Sequence, residues 1–111
     1  MRLITDEMVE CALRTLATTA EQTAAARAIR LRCEFRRKTI RARLVLAADE
    51  KTADGRAAWA ESHKDYIAAC EEECSAVERD ERLRAERSDA AITIDAWRTE
   101  AASNRAGSNF R

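Results

Sequence analysis

Apolar residues recur along the chain at the spacing of a helix surface. Taken at about 100° per residue, Val9, Leu13, Leu16, Ala20, Ala24, Ala28, Leu31, Phe35, Ala42 and Leu46 form one stripe, interrupted by Arg27 and Lys38. That stripe is the expected seam for a partner helix. From Ile29 onward a second row of Ile29, Cys33, Ile40, Leu44 and Ala47 runs along another side, which one partner helix cannot also cover. The second half of the chain divides in the same way. Ile67, Cys70, Cys74 and Val77 lie on one side, and Ala69, Ala76, Leu83, Ala90, Ile94, Trp97 and Ala101 on another.

Helix ends follow from capping chemistry. The Thr5 hydroxyl can accept from free backbone N–H groups, Asp6 and Glu7 complement the positive end of the helix dipole, and Ile4 and Val9 occupy hydrophobic-staple positions. No breaker follows before the polar stretch Asp49 to Gly55. Helix 1 is therefore expected over about 6–47, roughly 63 Å at about 1.5 Å per residue. A link over about 48–54 leads to helix 2 over about 55–106, with a break near 62–65, Gly107 as terminator and a frayed tail over 107–111. The expected fold is all-α, a single domain over 1–111 built as a long antiparallel helical hairpin of coiled-coil type. The uncovered strip needs either self-association into a bundle or the folding back of residues 56–60 as a short third helix hinged near Ser62. Small two-helix units bury little surface, which favours an oligomer with Ile29, Cys33, Ile40 and Leu44 at its interface.

Composition supports this reading. The chain of 111 residues contains no proline and only two glycines, and its five aromatic residues are Phe35, Trp59, Tyr66, Trp97 and Phe110. Net charge is zero, but residues 1–48 carry ten basic and five acidic groups, and residues 49–111 ten and fifteen. Either the halves neutralise each other or one surface is basic enough to attract polyanions. No leader pattern is evident, and no apolar run approaches the roughly 20 residues of a membrane span. A cytoplasmic protein is expected, with Cys11, Cys33, Cys70 and Cys74 as free thiols in a helix interface.

The main candidate for chemistry is the basic run Arg27, Arg30, Arg32, Arg36, Arg37, Lys38, Arg41 and Arg43, set against Glu34 alone. Arg27, Arg30, Arg37 and Arg41 form one stripe and Arg32, Arg36 and Arg43 a second, narrower one. Arginine presents a rigid fork to phosphate, so such stripes can track a nucleic-acid backbone. The hairpin equally places this run opposite Glu61, Asp65, Glu71, Glu72 and Glu73, where interhelical ion pairs would consume much of the charge. Cys70 and Cys74, four apart, could join Cys33 and His63 around zinc, but buried thiols explain the spacing as well. Consecutive Glu71 to Glu73 spread over about 200° of helix surface and cannot converge on one substrate. His63 is the single histidine and lies in no nucleophile motif, and no glycine-rich loop is present. No enzyme activity, metal or cofactor is expected. Trp59 and Trp97 could stack on bases, although Trp97 sits in an apolar stripe typical of core.

The segment Lys51 to Arg56, the following Tyr66 and the ending Ile94-Asp95-Ala96-Trp97-Arg98-Thr99-Glu100-Ala101-Ala102-Ser103-Asn104-Arg105-Ala106 resemble small helical-hairpin proteins from the recombination and replication gene blocks of tailed bacteriophages. The resemblance covers about the last 60 residues. It implies an accessory role in phage DNA metabolism in the host cytoplasm, with single-stranded DNA or a recombinase or annealing protein as partner, and supplies no site residues. The expected function is an oligomeric accessory protein binding DNA or a DNA-processing protein through the basic helix face. The alternative is an adaptor or inhibitor that engages a host protein without touching nucleic acid.

Overall fold

The computed structural model of the chain describes residues 2–109. Among them are three helices, α1 (Asp6–Ala47), α2 (Ala53–Ser62) and α3 (Lys64–Asn109), and no strand. The start of α1 is capped as its sequence suggests, with the Met8 N–H donating to Thr5 Oγ1 at 3.2 Å. At α2, Thr52 takes an extended conformation and its Oγ1 accepts from the Gly55 N–H at 3.0 Å. A Cβ at Gly55 would lie 2.9 Å from that oxygen, so glycine is what allows the cap to close.

The expected long second helix is divided. His63 adopts φ −71° and ψ 140°, which ends α2, and its Nδ1 accepts from the Asp65 N–H at 3.1 Å to begin α3. The structure also corrects the other end. Gly107 does not terminate the helix, which runs to Asn109 with no glycine at positive φ. Glycine permits a left-handed residue but does not compel one, and residues 108–109 continue the helical hydrogen bonding. The remainder of the expected frayed tail, Phe110 and Arg111, lies outside the described residues.

Contacts divide the chain into two compact units. The terminal unit comprises the chain up to Thr23 and from Arg82 onward. In it α1 and α3 run antiparallel, with Leu3 and Ile4 against Glu100, Asp6 against Trp97, and Thr19 against Arg87. Its core is Ala12, Ala90 and Ile94 with Leu16 packed against them. Val9, Ala12, Leu16 and Thr19 recur at alternating steps of three and four, the spacing of a coiled-coil seam. The buried Thr19 hydroxyl donates to Thr15 O at 2.6 Å and accepts from Arg87 Nη1 at 2.9 Å, and the same nitrogen donates to Leu16 O.

The central unit is Ala24–Glu81. Ala26, Arg30, Cys33, Arg37, Ile40 and Leu44 continue the three-four spacing on α1, and Ala69, Glu73, Ala76 and Asp80 do so on α3. Ala26, Ala69, Ala76 and Asp80 are buried. The apolar stripe of α3 read from the sequence is therefore the real seam. That of α1 joins the seam only at Val9 and Leu16, because Leu13, Leu31, Phe35 and Leu46 are 53, 57, 73 and 83% exposed. The most apolar side of α1 faces away from its neighbour, and the side turned inward carries Thr19, Arg30 and Arg37. Acidic and basic groups on α3 meet those polar positions one by one, which compensates their burial.

Candidate nucleic-acid interface

The eight basic side chains on α1 of the central unit meet different fates. Arg30 Nη1 lies 3.0 Å from Asp80 Oδ2 and 2.7 Å from Glu81 Oε1. Hydrogen bonds to Glu81 and then Asp80 raise the Arg30 pKa above its already high ordinary value. Arg37 pairs with Glu73, and the hydrogen bonds it donates to Glu73 and then Tyr66 raise its pKa likewise. Arg41 Nη2 pairs with Glu61 at 3.0 Å. Lys38 pairs with Glu34 one turn earlier at 3.1 Å, and that contact chiefly holds the Glu34 carboxyl below its usual range. These four cations are engaged within the unit.

The narrow stripe is different. Arg32 and Arg43 are exposed and have no ion-pair partner among the described residues. Arg36 meets Glu72 at 3.3 Å in a pair whose side chains are both more than half exposed, so the contact is weak and easily exchanged for a stronger anion. Arg27, also exposed and without an ion pair among the described residues, stands on another side of the helix. Steps of four and seven residues place Arg32, Arg36 and Arg43 about 6 and 10 Å apart along the helix axis. Three shallow depressions meet at Arg36. One is floored by Ile40, Leu44 and Ala69 and edged by Asp65 and Glu72, a second involves Phe35 and Thr39, and a third Ile29 and Cys33. The result is a row of three guanidinium groups interleaved with apolar surface, with two carboxylates on its α3 edge.

Of the residues expected at an oligomer interface, Cys33, Ile40 and Leu44 are half-buried where α1 meets α3, and Ile29 is 44% exposed beside them. They serve the helix pair itself first. All four cysteines are free thiols, with Cys11 and Cys74 on the surface and Cys33 and Cys70 half-buried. Cys33, Cys70, Cys74 and His63 are not gathered into a group able to hold a metal ion, nor are any other three ligating side chains among the described residues. His63 instead stacks at a tilt on Trp59, ring centres 5.3 Å apart. Trp97 is half-buried and its Nε1 donates to Asp6 Oδ1 at 3.3 Å. Glu72 and Glu73 turn to Arg36 and Arg37.

Sequence reasoning missed Asp80, Arg87 and Glu100 as structural partners. A signal was present: Tyr66, Ala69, Glu73, Ala76, Asp80, Leu83, Arg87, Ala90, Ile94, Trp97 and Ala101 step by three and four without a fault, so charged residues at 73, 80 and 87 had to point into the seam. Among the described residues, no helix is long and apolar enough to cross a membrane. Comparison of the chain with protein-family models, curated proteins and solved structures finds no match.

Proposed function

We propose that this protein is a non-catalytic, self-associating binding protein that engages single-stranded nucleic acid through Arg32, Arg36 and Arg43. The observation that carries this reading is the separation of roles along one helix. Four neighbouring cations are occupied by acidic partners, while Arg32 and Arg43 are left open and Arg36 is only loosely held. Interior ion pairing therefore does not account for the narrow stripe. A backbone running along it would release counterions at each phosphate contacted, and the apolar surface at Ile29 and Ile40 would accept base or sugar faces. Association of copies would multiply the row, which offsets the zero net charge of one chain. Such binding would suit an accessory role beside a recombinase or annealing protein, the role that the resemblance of about the last 60 residues implies.

The test is fluorescence anisotropy of a labelled single-stranded oligonucleotide across a salt series. Reversal of Arg32, Arg36 and Arg43 to glutamate together should abolish binding at low salt, and their individual replacement by alanine should each reduce the slope of log K against log salt by about 0.7. Unchanged affinity in the triple variant would sink the reading. Reversal at Arg30 or Arg37 is no substitute, because those changes open the helix pair itself.

A second reading, an adaptor for another protein, is favoured by the exposed Leu31, Phe35 and Leu46. Apolar burial is screened far less than phosphate contact, so a complex of that kind would persist at high salt.

A further inference from the structure

We infer that a second copy of this chain packs against the central unit by a head-to-tail contact, with the outward stripe of α1 in one copy meeting the lateral row of α3 in the next. This rests on the self-association proposed above and names the surfaces that perform it. On α1, Ala24, Ala28, Leu31, Phe35, Ala42 and Val45 fall at alternating steps of four and three, with Lys38 in the one remaining place. That is a second complete seam on a helix whose first seam is already filled. Its middle stands open among the described residues, with Leu31 57% exposed and Phe35 73%, while Ala28 and Val45 are half-buried. On α3, Ile67, Cys70, Cys74 and Val77 repeat at three, four and three, with Ile67 46% exposed and Cys74 on the surface.

Charge selects the pairing between these rows. The α1 stripe is bordered by the exposed Arg27 and Arg32, the charge of its one polar member, Lys38, being taken by Glu34, whereas the α3 row is bordered by the exposed Glu71. Two α1 stripes brought together would set cations against cations. An α1 stripe on an α3 row sets opposite charges along the edges of an apolar strip, the arrangement that fixes partner choice in coiled coils. Because the two surfaces differ, each copy keeps one of each after pairing, and the contact is heterologous, building rings or open chains.

The experiment is light scattering on the full chain and two variants, Phe35→Glu on the α1 stripe and Ile67→Lys on the α3 row. Both side chains are exposed, and unchanged far-ultraviolet dichroism establishes that each variant is folded. Wild type should exceed twice the chain mass, each variant alone should be monomeric, and an equimolar mixture should form a species of twice the chain mass, since one intact stripe then meets one intact row. Variants that retain the wild-type mass, or a mixture that stays monomeric, would overturn the assignment of surfaces while leaving self-association in place. A monomeric wild type would overturn both, and would leave the stripe to a different protein. Oligonucleotide affinity is read on the Ile67→Lys variant, whose substituted side chain lies outside the depressions around Arg36, so that it reports on Arg32, Arg36 and Arg43.

Discussion

Asp80 shows how much a single residue decides where two helices meet. Its side chain is fully buried, and one oxygen takes Arg30 Nη1 at 3.0 Å. A carboxylate in that position is stable only with a cation beside it, so the pair discriminates against any slip of one helix along the other. Asp80→Asn keeps the shape and removes the charge. It should lower stability by about 2 kcal/mol, the scale of a charge-assisted hydrogen bond to a buried group, as a reduced urea midpoint at unchanged slope. An unaltered midpoint would mean that alanine packing at Ala69 and Ala76 sets the register without help. Thr23 offers the contrast, since its buried hydroxyl has no hydrogen-bond partner. Such fates are invisible in composition, where Asp80 and Glu78 count as equal charges.

At the level of elements, the start of α1 is held by a residue from the far end of α3. Glu100 accepts from the Leu3 N–H at 2.7 Å and the Ile4 N–H at 3.1 Å, a carboxylate placed at the positive end of a helix. Those two backbone hydrogen bonds, Leu3 first, lower the Glu100 pKa from its ordinary 4.5. A lowered carboxylate contributes stability that is fully present above the ordinary value and lost as pH falls through the folded one. The protection of the Leu3 and Ile4 amides against exchange, relative to their intrinsic rates, should therefore fall on acidification below about pH 4.5, once Glu100 protonates. In Glu100→Gln that acid-dependent step should vanish, with both amides showing one reduced protection above and below it. Persistence of the step in the variant would assign it to another carboxylate. The cap at Thr52 was not read, whereas the start at Thr5 and the break near residues 62–65 were legible, because caps and breakers act within a turn of their own position. Gly107 was misread for the same reason: a permissive residue was taken for an instruction.

For the molecule as a whole, the notable imbalance is between what is buried and what is left outside. The buried apolar side chains are mostly alanine, while Leu31, Phe35 and Leu46 stand in solvent. The self-association proposed above would cover those groups, and mass action would then tie the melting of the chain to its concentration. The thermal midpoint should rise by roughly 3–5 °C for each tenfold increase in protein concentration, as scanning calorimetry over two decades would show. A midpoint independent of concentration would indicate that the helix pairs are sufficient alone, and that the exposed stripe contributes nothing to folding.

Helical class, the beginnings of α1 and α2 and the buried face of α3 are written locally in the residues. Alanine, arginine and glutamate without proline favour helix wherever they stand, a hydroxyl caps the turn next to it, and a row from Ala69 to Ala101 is apolar enough to be recognised by itself. Which side of α1 turns inward was not recoverable from α1. Judged alone its best seam is the one with Leu31 and Phe35, and only the positions of Glu73, Asp80 and Arg87 on the opposing helix make the polar side the better partner. The same choice divides the arginines into those that hold the unit together and those left facing outward. A seam minimises the free energy of two surfaces jointly, so no periodicity within one of them can select it.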